Sequence, residues 1–486
     1  MFFDKGNEYN QMYKTKQVQI HKNDPLYEYC SDVTQKVNNL ENAALFRMKQ
    51  CMSGLKKKTP TANEQFVLDE IRNALPYMKN ADMPTAEKWF LSYTFLDSLM
   101  KASGNPDYCV EGLSKQTAQN ALKQVVKNMK SFVKAVKAYS KNPAIFTGRP
   151  RPPKYHKKGG MATATLSNQD CNVRNGYVKF PFTKTKVRIG ETNGTLKTVK
   201  IVPYHDIFIL AFTFDIGDAP KKKKKGKRII AIDEGVENFA AITNNIGKPS
   251  LLYKGGAIKS ANWKYNKVLA SEMSKQMTGT AVKFSPTDIS RDACIRRNNF
   301  IHDACHKIAK DIMNRCIAWD IDTIVIGRNK GVKQECNMGH VNNQVFVQIP
   351  FYKFNMMIEY LAEENGINVV YQEESYTSKA SCPDGDAIPV YGDHSKTHVF
   401  SGTRIARGLY RTFDGTVINA DLNGSANIMR KAFPKAFKKQ PPLFHDVEIL
   451  RYPDVAAKHN NKSKKPMSKS KKCRLYKKYS LWDMAS

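Results

Sequence analysis

The sequence predicts strands in the N-terminal half split by an inserted helical domain, and an α/β domain filling the second half. Three observations carry this. Ile229–Thr243 reads IIAIDEGVENFAAIT: a hydrophobic strand, an aspartate at its end, a glycine turn and a second strand. From Arg228 to about Phe433, strand patterns alternate with helical ones, as a layered α/β architecture requires. A block of helix-period sequence, Pro25–Ser140, separates the alternating strand Lys14–Ile20 (KTKQVQI) from further strands after about residue 145.

Composition fixes the class of partner. The chain has 486 residues, 41% of them hydrophobic, enough for two to four domains with real cores. Lys and Arg number 78 against 44 acids, a formal charge of +34 that repels itself unless a polyanion neutralises it. Nucleic acid is the first candidate. A membrane is not expected: no run of about eighteen apolar residues occurs, and the N-terminal MFFDKGNEYNQ lacks the apolar core of a signal peptide. The ten cysteines, from Cys30 to Cys473, include no C-x-x-C pair, so neither a disulfide framework nor a zinc ribbon is expected, and a reducing compartment fits. The expected location is the cytoplasm, at the nucleoid, in a prokaryote, or the nucleus in a eukaryote.

In the helical block, Thr61 and Thr85 precede apolar-periodic runs and read as helix starts. The last helix, about Ser114–Ser140, sets Leu122, Val126, Met129, Val133 and Val136 at core spacing, with Lys123, Lys127, Lys130, Lys134 and Lys137 one residue later. Like charges at i,i+4 cost about 0.2–0.5 kcal/mol per pair. The lysine face therefore reads as a nucleic-acid surface, with a plain solvated face as its alternative. Gly148–Gly160 (GRPRPPKYHKKGG) is a proline-stiffened basic linker that cannot be helical. Strands follow, with Asn193-Gly194 as a two-residue hairpin turn and Asp206–Phe214 as a buried strand. Lys221–Lys225, five lysines in a row, reads as an exposed loop touching RNA, a localisation signal, or a flexible connection.

In the α/β half, Leu251–Asn262 leads into a helix and Ser290–Trp319 forms a long one. His302 and His306 lie four apart on it without a third ligand nearby, and Cys294, Cys305 and Cys316 recur about 16 Å apart, as core residues. Asp322–Ile326 (DTIVI) and, after the helix Pro350–Glu364, Ile367–Gln372 (INVVYQ) are short strands ending where an α/β sheet presents ligands.

The stretch Ile-Asp-Glu-Gly-Val-Glu-Asn-Phe-Ala and the later Asn419–Met429, NADLNGSANIM, resemble the first and third active-site motifs of RuvC-type nucleases. Their form is that of the TnpB family of transposon-encoded RNA-guided endonucleases, shared by compact type V CRISPR effectors and the Fanzor proteins. The resemblance implies an RNase H-like (RuvC) nuclease domain at 227–378 completed by a final motif at 417–435. It also implies a wedge barrel at 1–24 and 145–226, a helical recognition domain at 25–144, and a target-nucleic-acid-binding insert at 379–416. The basic tail, 436–486, is expected to be disordered unless RNA orders it.

Asp233 and Asp421 are then two acids of the site. In most TnpB relatives the strand matching DTIVI ends in a glutamate, but here that position is Gly327. Glu374, which some relatives place just before the Thr-Ser matching Thr377-Ser378, is the preferred replacement. Glu373, Glu335 in GVKQE, and a missing acid are the alternatives, while Glu234 and Glu237 are expected to face away. Such carboxylates hold two divalent ions, normally Mg²⁺, which together hydrolyse a phosphodiester. TnpB proteins usually carry a four-cysteine zinc ribbon between the last two motifs. Here only Cys382 occurs there, with His394 and His398, so no structural zinc is expected. Arg404, Arg407 and Arg411 offer phosphate contacts. The implied function is RNA-guided cleavage of double-stranded DNA, with a guide RNA from a transposon end or a CRISPR array. A nuclease-inactive guided repressor and a DNA transposase or accessory protein are the alternatives.

Overall fold

The computed structural model describes residues 11–79, 81–277, 283–328, 347–390 and 398–452. The chain divides into two compact units, Met1–Asp218 and Ala219–Ser486. Among the described residues no helix is long and apolar enough to cross a membrane.

The first unit begins with β1 (Gln11–Ile20), followed by the helices α1 (Tyr27–Gly54), α2 (Ala62–Ala74), α3 (Tyr93–Ala102) and α4 (Lys115–Lys141). The strands β2 (Ala164–Ser167), β3 (Asn172–Arg174), β4 (Tyr177–Lys179), β5 (Lys186–Arg188), β6 (Thr195–Tyr204) and β7 (Ile207–Asp218) come next. β1 pairs with β7 across the helical block, giving a four-stranded sheet in the order β1-β7-β6-β2, while β3-β4-β5 form a second sheet. The expected barrel is thus two hydrogen-bonded sheets. Alternating residues of β7, Phe208, Leu210, Phe212 and Phe214, enter the same core as Val33, Val37, Leu40 and Met48 of α1.

Thr61 caps α2 through a reciprocal capping box with Glu64. Thr85 does not start a helix. Its hydroxyl accepts only from Lys88 N, and the next helix opens at Ser92, whose hydroxyl accepts from Phe95 N. Asn193-Gly194 does not join paired neighbours either, because β5 belongs to the other sheet. Two-residue hairpin turns lie instead at Asn175-Gly176, with φ of 51° and 74°, as the turns that match strand twist require, and at His205-Asp206 between β6 and β7. On α4 the core stripe is Ala118, Ala121, Leu122, Val125 and Met129, and the outer valines are only half-buried. All five predicted lysines are exposed. Lys123 lies over the Tyr93 ring, 4.9 Å from its centroid.

The second unit is built on a six-stranded sheet. Its strands are β8 (Ile229–Asp233), β9 (Asn238–Asn244), β10 (Ser250–Lys254), β11 (Thr323–Gly327), β12 (Asn368–Gln372) and β16 (Val447–Arg451), in the order β12-β11-β8-β9-β10-β16. The helices α5 (Gly256–Gln276), α6 (Asp288–Ala318) and Phe351–Glu364 belong to the same unit, and a buried core of β8–β11, α6 and Phe351–Glu364 residues lies between helices and sheet. Cys305 and Cys316 are in that core, whereas Cys294 is half-buried. β12 is half-buried rather than buried, because it is an edge strand. β13 (Thr403–Ala406), β14 (Leu409–Arg411) and β15 (Val417–Asn419) form a small separate sheet ahead of the final helix, Ala420–Ala432.

Two expectations change here. The lysine run is anchored at its centre: Lys223 N donates to Gly366 O at 2.7 Å and its ammonium pairs with Asp320 at 2.7 Å, while the other four lysines are exposed. The segment after Phe433 is not all tail, since β16 pairs in parallel with β10. Arg315 of α6 clasps it through both carboxylate oxygens of Glu448, at 2.8 and 2.9 Å. Charged residues in 447–451 hid a strand whose apolar residues, Val447, Ile449 and Leu450, are few.

Candidate active site

Asp233 is the last residue of β8, a strand whose Ile229, Ile230, Ala231 and Ile232 are fully buried. Burial on both faces explains the unbroken apolar run, and the end of the strand is where the first polar group can reach solvent. The Ala420–Ala432 helix lies against this strand. Asn419 caps it, accepting from Asp421 N and Leu422 N at 3.0 and 3.1 Å. Ser425 fastens it, donating to Ala231 O at 2.9 Å and accepting from Thr243 N at 3.1 Å. Gly424 faces Asp233 so closely that a β-carbon there would sit 2.5 Å from the aspartate Oδ2. The glycine of the motif is therefore a requirement of close approach.

The two asparagines of the same motif hold a loop. Asn423 Nδ2 donates to Ala380 O at 2.8 Å and its Oδ1 accepts from Cys382 N at 2.9 Å, while Asn427 Nδ2 donates to Thr377 O at 2.9 Å. Thr377 in turn donates through its hydroxyl to Glu374 O at 2.8 Å. This chain of bonds fixes the backbone of Glu374 from the far side of the site.

Glu374 and Glu373 then point differently. Glu373 accepts from Ser375 N and pairs with Lys431 on the last turn of the helix. Glu374 projects over the end of β11. A β-carbon on Gly327 would lie 2.5 Å from its Oε2, so this carboxylate fills the space that a side chain at 327 would take. β11 lies between β12 and β8, about 10 Å across two strand spacings, and the bare glycine lets an acid from β12 reach past it. Glu335 lies outside the described residues, as does His394.

Electrostatics tie the three acids together. Asp233 is raised well above the usual carboxylate range by burial first, then by Glu374, Asp421 and Glu234, with Arg404 opposing. Burial, helped by Glu373, lifts Glu374 to about 7. Asp421 Oδ2 accepts from Asn238 Nδ2 at 2.7 Å, and Arg404 stands 3.9 Å from its Oδ1. Arg407 is 3.7 Å from Glu237, which also pairs with Lys259. Arg411 is exposed on β14. Glu234 accepts from Asn355 Nδ2 at 3.2 Å, and its charge still acts on Asp233. His306 bonds Tyr360 at 2.8 Å, and the His398 ring lies 5.2 Å from that of Tyr376.

Oxygen donors clustered with mutual repulsion are what hard divalent cations neutralise. Among the described residues no three His, Cys, Asp or Glu side chains are closed into a ligand set. The three acids share one electrostatic neighbourhood centred on Asp233. The folded chain keeps protons on Glu374 that the unfolded chain releases above about 4.5, so the ion-free protein loses stability as pH rises from 4.5 through 7. A divalent cation held here would displace those protons, so added Mg²⁺ should raise the melting temperature more at pH 8 than at pH 5.5. A shift equal at both values would count against ion binding here.

A family model described as “Probable transposase” (OrfB_IS605) matches residues 211–333, and the Cas12f1-like TNB domain matches 351–428. The first contains Asp233, the second Glu374 and Asp421, and Glu335 falls between them. Both matches support a likeness to the TnpB and compact type V effector family. A similar protein is the CRISPR-associated endodeoxyribonuclease Cas12f2 of Micrarchaeota archaeon (strain CG1_02_47_40), 29% identical over 136 residues. That match takes in 26% of this chain and spans 23% of the relative's length. Among solved structures, a Cas12f1–sgRNA–target DNA complex aligns with a TM-score of 0.41 and 14% identity, over 86% of this chain and 99% of that one. CasPhi-2 (Cas12j) bound to crRNA and phosphorothioate DNA aligns at 0.38 and 10%, over 88% and 92%. This TnpB-like chain departs from the usual motif at Gly327. Asn238, Asn423 and Asn427 lie within the two sequence motifs, the last two four residues apart on one helix face, but an amide's partners are not written in the sequence.

Proposed function

We propose that this protein is an RNA-guided DNA endonuclease whose single RuvC-type site hydrolyses target DNA. The observation that carries this is the Glu374 carboxylate, held where position 327 lacks a side chain and in one electrostatic neighbourhood with Asp233 and Asp421. The two family-model matches support it, and so does the endodeoxyribonuclease named in the Micrarchaeota relative. Asp233, Glu374 and Asp421 would hold a pair of Mg²⁺ ions, which when bound supply an activated water and a stabilised leaving oxygen. Thr377 fixes Glu374, and Arg404 and Arg407 offer positive charge to a phosphate beside the acids. Residues 25–144 serve as recognition domain, 1–24 with 145–226 as wedge, 227–378 with 417–435 as nuclease and 379–416 as target-binding insert. Guide RNA and double-stranded DNA neutralise the +34 charge.

The test is the RNA that copurifies with the protein. A structured RNA from its own locus is expected, a repeat-spacer product marking a CRISPR guide and a transposon-end product a TnpB guide. Random host RNA alone would overturn guidance, and a guided complex that binds target but never cuts with Mg²⁺ would leave a repressor.

On α4, changing Lys123, Lys127, Lys130 and Lys134 to Gln should weaken nucleic-acid binding and flatten the slope of log K against log salt by about 3, at 0.7–0.9 per lost phosphate contact. Melting temperature should not fall, because like charges are removed. An unchanged slope would return these lysines to solvated surface.

A further inference from the structure

Beside the acids stands a pair of residues that no motif assigned. β9 and β10 are antiparallel with a register shift: Tyr253 pairs with Ala240, and the next residue, Lys254, pairs with Asn238. The skipped residue, Phe239, is fully buried. Such a bulge re-aims a side chain, and here it sets Asn238 opposite Lys254. Gly255 makes the approach possible. Its N–H donates to Glu237 O at 2.8 Å, and a β-carbon on it would lie 2.3 Å from Val236 O.

Asn238 is 4% exposed and is bonded at both ends. Lys254 Nζ donates to its Oδ1 at 2.7 Å, and its Nδ2 donates to Asp421 Oδ2 at 2.7 Å. An ammonium only donates, so Lys254 fixes which way the amide faces. The amide must then present N–H to Asp421. One oxygen of Asp421 is thereby occupied, and Oδ1, on the Arg404 side, is the one left open.

We infer that Asn238, oriented by Lys254, is a positioning residue that fixes the rotamer of Asp421 and selects Oδ1 as its cation-binding oxygen. This rests on the proposed carboxylate site and goes beyond it by naming what preorganises the third acid. Partners that orient a ligand in this way are typically worth tenfold to a hundredfold in ion affinity.

The probe is Mn²⁺ binding to the full chain, followed by electron paramagnetic resonance and calorimetry without nucleic acid. Asn238→Leu keeps the size but withdraws the N–H from Asp421 without adding charge, so Mn²⁺ affinity should fall about tenfold to a hundredfold. Lys254→Met, which leaves Asn238 in place but free to flip, should weaken binding by a smaller factor, and Lys254→Arg should restore it. Should Asn238→Leu not fold, the Met and Arg pair at 254 decides the matter alone. If wild type binds Mn²⁺, Asp421→Asn loses it and Asn238→Leu or Lys254→Met matches wild type, the positioning role is wrong and the carboxylate site stands. If wild type binds no Mn²⁺, the site itself is wrong and this inference falls with it.

Discussion

Asp233→Asn, Asp421→Asn and Glu374→Gln are each expected to slow target cleavage by about a thousandfold or more, with guide and target binding nearly unchanged. Each removes one anionic ligand from a site whose chemistry is charge neutralisation. A loss of roughly 4 kcal/mol of transition-state stabilisation is three powers of ten in rate. Binding should persist, because it rests on phosphate contacts and base pairing. Glu373→Gln is the internal control: its carboxylate is held by Lys431 and Ser375, so its loss should cost less than tenfold. Glu335→Gln belongs in the same series. Normal cleavage by Glu374→Gln together with a dead Glu335→Gln would move the second acid to the other loop.

Gly327→Ala should be nearly as damaging although it adds one methyl group and no charge. That methyl would stand 2.5 Å from Glu374 Oε2 and 2.5 Å from Ile428 Cδ1, closer than β-carbons tolerate. The Ile428 end can rotate away, but the carboxylate must leave its place, and a misplacement of about 1 Å costs roughly a hundredfold. Alanine is otherwise favoured over glycine in a strand, so the thermal midpoint should hold while single-turnover cleavage falls. The exchange Gly327→Glu with Glu374→Gly puts the acid back on β11 and should cleave faster than either single variant. A Gly327→Ala protein with wild-type cleavage would show that Glu374 does not work from the space above residue 327.

The strands that border the site were legible because burial on both faces forces unbroken apolar runs, and IIAID and TIVIG are such runs. The helix after Asn419 was legible from its cap and its motif. Glu374 was reachable only through its spacing to Thr377, since nothing in Q-E-E-S tells two adjacent glutamates apart. The structure separates them by giving Glu373 a lysine. The role of Asn238 escaped because it depends on the bulge between β9 and β10, which sets it opposite Lys254 and is not written in the local sequence. Thr85 misled for a related reason: a hydroxyl that caps one turn looks the same in sequence whether or not a helix follows.

The edge strand β16 has a consequence for biosynthesis. It enters the sheet after all three acids have been translated, and a parallel strand gains its hydrogen bonds only from β10, laid down almost two hundred residues earlier. A nascent chain that has reached Asn427 therefore owns every acid yet lacks one edge of the sheet on which they stand. Closing that edge, and locking it with the Arg315–Glu448 clasp, waits until the ribosome has passed residue 451.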